Sequence, residues 1–387
     1  MPRTLYLLAL AVFVMGTSEF MLAGILPAIS AELDVTLGAA GLLTSAFAVG
    51  MVVGAPAMAA FARRWPPRLT LMLCLLVFTV AHVIGAMTPV FEVLLVTRVV
   101  SAVANAGFLA VALTTATALV PADRKGRALS VLLSGTTIAT VAGVPAGALL
   151  GTAMGWRATF WAIAVLAHLA LLGLVRGIPR ASDAEPTDTA SPPLGAELRL
   201  LATPRLLLTM VVGALINGGT FAVFTFLAPV VTGVAGLSEA WVSVALVLFG
   251  AGSFLGVTVA GRLSDRRPGL VLAVGGPLLL GGWVAASVVA AHPVALLALI
   301  FAQGVLSFGV GSTVIARVLY AASAAPTMGG SYATAALNTG AALGPVLGAL
   351  ALADGAGPLA PFGVAAALTA SALLVLLVFR RALALTA

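Results

Sequence analysis

Charge is scarce in this chain: 8% of its 387 residues are Asp, Glu, Lys or Arg, against 61% that are hydrophobic. A water-soluble domain of this length exposes far more polar surface, so most soluble folds are excluded. Lysine is nearly absent. Lys125 is the single one, and basic charge otherwise rests on arginines set between apolar runs. Cysteine is limited to Cys74, inside an apolar run, which excludes an intrachain disulfide framework and suits a small packing residue. No His, Cys, Asp and Glu cluster has metal-ligand spacing, and no Gly-rich segment ends in Gly-Lys-Ser/Thr. An enzyme, direct ATP hydrolysis, a cofactor and a bound metal are therefore not expected. The net charge of +7 raises a nucleic-acid reading, but no basic stripe with interleaved aromatics accompanies it.

What the chain does have is a succession of long apolar runs. Stretches able to cross roughly 30 Å of hydrocarbon at 1.5 Å per residue recur at 4–26, 38–62, 69–88, 91–119, 127–153, 157–177, 205–231, 238–261, 269–291, 293–319, 327–352 and 358–379. They predict an all-α polytopic protein of twelve transmembrane helices in a lipid bilayer. The first run opens like a secretory signal, with Arg3 ahead of it. It continues past Glu19 to Pro27, however, and is expected to be retained. Arginine placement sets the orientation. With both termini cytoplasmic, that side receives Arg3; Arg63, Arg64 and Arg68; Arg124, Lys125 and Arg127; Arg176, Arg180, Arg199 and Arg205; Arg262, Arg266 and Arg267; and Arg380 and Arg381. The outer loops carry Arg157 beside Glu32, Asp34, Glu92, Glu239 and Asp354. This bias predicts a multi-pass protein of the inner (cytoplasmic) membrane.

Landmarks recur at an offset of about 201 to 202 positions. Gly16 corresponds to Gly218, Pro27 to Pro229, Gly107 to Gly309, and Gly143 and Gly147 to Gly344 and Gly348. Arg63-Arg64-Trp65-Pro66 aligns with Asp265-Arg266-Arg267-Pro268. The two prolines are expected to end the first and seventh helices. A shared offset across several helices predicts duplication: a bundle at 1–178, a linker at 179–204 and a second bundle at 205–387, with a binding cavity between the bundles near mid-membrane. Residues 181–193 are too polar to fold alone and predict a flexible tether. Residues 194–201 are expected to form a short surface helix.

With these landmarks in place the chain resembles the major facilitator superfamily, in its twelve-helix drug:proton antiporter branch, over essentially its whole length. The loop Gly261-Arg262-Leu263-Ser264-Asp265-Arg266-Arg267-Pro268 looks like that superfamily's signature between helices eight and nine. Its first-half counterpart, Ala59 to Arg68, departs from the pattern, with Ala59 where glycine is usual and Arg63 where aspartate is usual. Arg98 fits the embedded-arginine motif of helix four, and Gly135, Gly143, Pro145 and Gly147 resemble the antiporter signature of helix five. Gly16-Thr17-Ser18-Glu19-Phe20, Gly24-Ile25-Leu26-Pro27, Arg98-Val99-Val100-Ser101 and the run from Ser134 to Gly151 are similar to actinobacterial chloramphenicol-resistance exporters. The resemblance implies two pseudo-twofold-related six-helix bundles (the major facilitator fold). It further implies export of a small neutral amphipathic antibiotic, chloramphenicol foremost, driven by a proton gradient, by a chain acting as a monomer. An exporter of sugars or nucleosides, or a proton-coupled uptake symporter, is the alternative. A channel is disfavoured by the duplication, the missing pore-loop signature and the single embedded acid.

Glu19 is the acidic residue placed deep inside a span. A charge there costs roughly 2.5 to 3.5 kcal/mol at a helix centre, so it should face a partner or water. Eight residues separate it from Pro27, about 12 Å from the outer end; Arg98, seven residues into a helix running the other way, lies about 10 Å from that end. Their depths match. Two readings follow: a proton-coupling pair, or a static ion pair joining helices one and four. Ser101, Asn105 and Phe108 follow Arg98 at helical spacing; Asn217, Phe221 and Phe224 do so on helix seven; helix ten offers Gln303, Ser307 and Phe308. These could line the cavity with apolar walls and a few polar groups, or serve ordinary interhelical packing. Small residues every four positions in helix five, from Gly135 to Gly151, recur in helix eleven as Gly340, Gly344 and Gly348. Such stripes let backbones approach and slide, and Pro145 and Pro345 invite kinks. Gating is therefore placed on Gly143, Pro145, Gly147, Gly344, Pro345 and Gly348, with Asp265 and Arg266 at the cytoplasmic gate. His82 and His168 fall on helices that are peripheral in the family and are weak proton-relay candidates.

Overall fold

The computed structural model describes residues 2–61, 65–121, 124–177, 194–264, 268–325, 327–380 and 382–383. Its first half comprises α1 (Arg3–Phe20), α2 (Leu22–Glu32), α3 (Leu37–Phe61), α4 (Pro67–Met87), α5 (Phe91–Ala118), α6 (Lys125–Ile138), α7 (Val144–Met154) and α8 (Trp156–Gly177). A short α9 (Leu194–Arg199) precedes α10 (Pro204–Thr225), α11 (Leu227–Pro229), α12 (Ala240–Ser264), α13 (Pro268–Val289), α14 (Pro293–Ala321), α15 (Gly329–Ala353) and α16 (Ala360–Val378). Twelve spans are long and apolar enough to cross a membrane. No strand occurs among the described residues. The chain is thus a multi-pass helical membrane protein, and large apolar side chains such as Val53, Leu73, Val96, Leu169, Val288 and Leu377 stand exposed around its perimeter. Helices suit that setting because each satisfies its backbone polar groups internally.

The observed spans follow the expected ones closely, with one correction. Neither Pro27 nor Pro229 ends a helix. The first span breaks at Met21 and resumes as α2, which carries Pro27 inside it and runs on to Glu32. The seventh continues past Pro229 through a π-helical turn, Val230–Val234. A proline withdraws one backbone donor, which bends a helix without ending it when packing continues on both sides. A second π-helical turn, Ala139–Gly143, joins α6 to α7 just ahead of Pro145, whereas Pro345 is absorbed inside the unbroken α15.

The duplication is written in the packing. Gly50 faces Val99 and Ala102, and Gly54 faces Val103 and Ala106. At the same offset Gly252 faces Phe301 and Val305, and Gly256 faces Val305. Gly107 meets Met58 as Gly309 meets Ala260, and Gly16 meets Ala139 as Gly218 meets Gly340. A methyl at several of these glycines would run into facing backbone, so the close approach itself requires glycine.

The helix ends at Phe61, Pro67, Ala118, Lys125, Ser264, Pro268, Ala321 and Gly329 share one face of the bundle with Arg3, here the terminal face; the opposite one is the distal face. Between the halves, α3 packs along α15, from Gly38 against Ala349 near the distal face to Ala59 on the cluster of Leu206, Val318, Met328 and Tyr332. Nearer the distal face α2 meets α11, and α7 with its π-helical turn meets α12, where Gly250 rests on the backbone of Thr140. Among the described residues, α5 and α6 make no extensive contact with α12 or α14. Toward the terminal face the extensive contact between the halves, among the described residues, is that of α3 with α15, and distally α2 and α7 add theirs.

The expected short helix forms as α9, but it is docked rather than free. Glu197 is fully buried, and its Oε2 accepts hydrogen bonds from the backbone nitrogens of Thr327 (3.1 Å) and Met328 (2.8 Å) at the start of α15. Tyr332 Oη donates to the Glu197 carbonyl at 2.9 Å. A carboxylate at a helix N-terminus satisfies orphan donors and suits the dipole. The expected tether, 181–193, lies outside the described residues.

Candidate functional site

Glu19 occupies the last turn of α1, one residue before Phe20 and the break at Met21. Its side chain is half-buried and forms no hydrogen bond among the described residues. Arg98, on α5, is 1% exposed, an unusual state for a guanidinium. The two charges act on one another, yet they form no ion pair within 4.0 Å in this state. Arg98 is held instead by the residue beside Glu19. Its Nη1 donates to Ser18 Oγ and its Nη2 to the Ser18 carbonyl, both at 2.9 Å, and its guanidinium carbon lies 4.4 Å from the centre of the Phe47 ring. Arg98 Nε has no partner.

Ser18 Oγ lies 2.7 Å from His82 Nε2, and His82 Nδ1 lies 2.8 Å from the Phe78 carbonyl. His82 is 2% exposed and sits between the rings of Phe78 and Phe160, at centroid distances of 4.2 and 5.8 Å. This corrects the expectation that His82 is peripheral, since α4 turns the imidazole inward onto α1. His82 lies at a depth similar to that of Glu19 and Arg98, five residues from the distal end of its helix. His168, by contrast, is exposed on the perimeter.

The remaining candidates divide. Ser101 Oγ donates to the Arg98 carbonyl of its own helix at 2.9 Å, and Asn105 Nδ2 lies 3.7 Å from Met51 Sδ on α3. Phe108 leaves the expected cavity wall: it is fully buried in the first-half core with Phe78 and Leu71. Helical spacing says that these residues share a side of α5 but not which neighbours that side meets, and at Phe108 it meets the apolar core. In the second half Asn217 Nδ2 donates to the Leu337 carbonyl at 2.8 Å, joining α10 to α15. Phe20 crosses between the halves to Phe221 and Phe224, with ring centroids 5.8 and 6.0 Å apart. The series continues from Phe224 to Phe249 at 4.9 Å and from Phe249 to Phe308 at 5.9 Å.

Gln303 Nε2 donates to the Leu279 carbonyl at 3.1 Å. Gln303 Oε1, Trp283 Nε1 and Ser307 Oγ are buried without partners. Thr220, Phe224, Phe249, Trp283, Ile300 and Gln303 border a small void of about 20 Å³ within the second half. A larger cavity of about 340 Å³ lies between the halves at the distal face, bordered by Pro27, Thr152, Thr232 and Glu239.

The glycine stripes lie within each half. Gly135 and Gly143 face Ala9, Phe13 and Thr17 of α1, while Gly147 and Gly151 face Thr159 and Ile25. Gly340 and Gly344 lie on the backbone of Ala214, Gly218 and Ala222 in α10, and Gly348 faces the Phe226 ring. Asp265 and Arg266 lie outside the described residues.

A duplicated twelve-span bundle with a carboxylate and an arginine embedded inside its spans defines a secondary transporter. The sequence profile of the Major Facilitator Superfamily matches residues 8–336, and the chain belongs to that family of transporters. It is 64% identical to the "Chloramphenicol resistance protein" of Streptomyces lividans, over 98% of this chain and 97% of that one. It is 31% identical to the "Inner membrane transport protein YdhP" of Escherichia coli (strain K12), over 90% and 89% of the two chains. Its fold matches a crystal structure of a bacterial homolog of the human lysosomal transporter Spinster, in an inward-facing and unoccupied conformation. That match has a TM-score of 0.66 at 20% identity and covers 99% and 94% of the chains.

Proposed function

We propose that this chain exports a small neutral amphipathic antibiotic, chloramphenicol foremost, across the cytoplasmic membrane in exchange for protons, by alternating access. The substrate reading is supported by the 64% identity to a protein named for chloramphenicol resistance. The observation that carries the coupling is Glu19, a half-buried carboxyl inside the first span, unbonded and acted on by Arg98. Burial and a neighbouring guanidinium pull such a group in opposite directions, so a change in its surroundings changes its hold on a proton.

The contacts that α2 and α7 add distally support an inward-opening state, and basic residues collect at the terminal face, which supports reading that face as cytoplasmic. Drug enters there and meets the rings of Phe221 and Phe224, with Ser101, Asn105, Asn217 and Gln303 offering hydrogen bonds. Glu19 takes up a proton when the cavity opens outward and releases it inward, and drug moves the opposite way. The close approaches at Gly143, Gly147, Gly344 and Gly348, beside Pro145 and Pro345, let the first and seventh spans shift against the fifth and eleventh. Asp265 and Arg266 serve the cytoplasmic gate. One chain suffices for the cycle.

Expression in a sensitive host is expected to raise amphenicol tolerance and lower drug accumulation, both reversed by an uncoupler. Glu19→Gln is expected to abolish ΔpH-driven efflux; wild-type efflux in that variant would remove Glu19 from the mechanism. Proton-coupled transport of a sugar or nucleoside without amphenicol tolerance would favour the alternative.

A further inference from the structure

We infer that His82 is a positioning residue of the proton site, fixing through Ser18 where the Arg98 guanidinium lies relative to Glu19. The inference rests on the coupling reading above. Three hydrogen bonds of 2.7 to 2.9 Å run from Arg98 to Ser18, from Ser18 to His82 and from His82 to the Phe78 carbonyl, tying α5, α1 and α4 together. The ends of the series fix its direction. A guanidinium only donates and a carbonyl only accepts. The ring proton of His82 therefore sits on Nδ1, and the Nε2 lone pair accepts the one proton of the Ser18 hydroxyl. That leaves Ser18 Oγ to receive Arg98 Nη1.

Arg98 has few other holds. Its Nε is unpartnered and its flat face rests on Phe47, so Ser18 is its main anchor. The alternative anchor is the carboxylate of Glu19, the next residue of the same helix. Whether Arg98 stays with Ser18 or moves to Glu19 decides how much positive charge Glu19 meets. The groups facing this junction are Ser18 and Glu19 from α1, Arg98 from α5 and the Phe160 ring from α8.

The second half shows that the fold does not demand a histidine here. At the repeat offset Thr220, Trp283, Ile300, Phe249 and Phe362 replace Ser18, His82, Arg98, Phe47 and Phe160. The ring-on-ring contact survives, with Trp283 and Phe362 centroids 6.4 Å apart where His82 and Phe160 stand at 5.8 Å. The hydrogen bonds do not. Thr220 turns its hydroxyl back to the Ile216 carbonyl at 3.1 Å, and Trp283 Nε1 has no partner. A ring in this place serves packing; the Nε2 acceptor serves the arginine.

Glutamine and asparagine separate the two roles. His82→Gln places an amide oxygen near the Nε2 position and keeps an acceptor for Ser18. His82→Asn reaches only the Nδ1 position, where it can serve the Phe78 carbonyl and leaves Ser18 without its acceptor. The full-length protein in vesicles enclosing a pH dye, with chloramphenicol as the probe, gives coupled proton flux; calorimetry gives drug affinity. His82→Asn and Ser18→Ala are each expected to lower the flux tenfold or more while leaving Kd within twofold. Their double variant should fall no further than the deeper single, and His82→Gln should stay within threefold of wild type. Wild-type flux in His82→Asn, an equal loss in His82→Gln, or multiplicative losses in the double variant would overturn the inference. If His82→Asn does not fold, Ser18→Ala decides alone, and wild-type flux in it overturns the inference. Glu19→Gln in the same vesicles separates the two readings. Wild-type flux there defeats proton coupling through Glu19; flux lost there but kept in His82→Asn defeats only the role of His82.

Discussion

The two halves place different chemistry at the same junction of helices. In the first half the junction holds a buried arginine, a serine and a histidine in one hydrogen-bonded series. In the second, Ile300 takes the place of Arg98 and Phe221 that of Glu19, and a void of about 20 Å³ remains among aromatic rings. The backbone contacts around both junctions are nonetheless repeated, glycine for glycine. Duplication has thus kept the small-residue contacts that let the spans approach, while the space they enclose has diverged. In the proposed cycle the first half handles the proton and the second offers rings to an apolar drug.

The comparison breaks most readily at Ile300. Ile300→Arg puts a guanidinium into the second junction, where no carboxylate corresponds to Glu19 and the acceptors at hand are the neutral Thr220 hydroxyl and Gln303 Oε1. Burying an uncompensated charge costs about 3 to 5 kcal/mol, so a large fall in thermal midpoint or loss of the monodisperse peak is expected. An unchanged midpoint would mean the second junction is as polar as the first. Phe224→Ala tests the division of labour at lower cost. It removes a ring that touches both Phe20 and Phe249, and chloramphenicol Kd is expected to rise about tenfold, or about 1.4 kcal/mol. The counterpart change Phe47→Ala removes the ring under Arg98 and should lower coupled flux while sparing Kd. Calorimetry and vesicle flux on the pair would show whether the effects cross over. The smallest effect is expected at the distal face, where Arg157 pairs with Glu32 in the first half and Val234 and Leu359 pack on an apolar cluster in the second. Both partners of the pair are partly exposed, and such pairs contribute about 1 kcal/mol or less. Glu32→Gln should therefore move the thermal midpoint by no more than about 4 °C.

The twelve spans could be read from the residues because each apolar run is long enough to cross the bilayer and most are bounded by charge or turn residues. The far end of the first span is not legible from Pro27, because a proline bends a packed helix without stopping it; Ser30 and Glu32 lie on helix beyond it. Glu19 and Arg98 stood out because charge within such runs is rare. Their actual relation did not, since Ser18 is an ordinary hydroxyl in a membrane helix and only the packing of α5 on α1 makes it an acceptor. His82 was visible as a polar group at the same depth, yet no periodicity in one helix shows which neighbour it faces. Phe108 shows the same limit: spacing gives a shared side of the helix and not the core that this side meets.

Glu197 closes the account of how the halves are joined. Its carboxylate belongs by position to the segment between the halves, yet it supplies the N-terminal acceptor for α15 in the second. Separately expressed halves should accordingly be divided ahead of Leu194, so that the C-terminal piece carries its own cap and does not have to borrow one across a chain break.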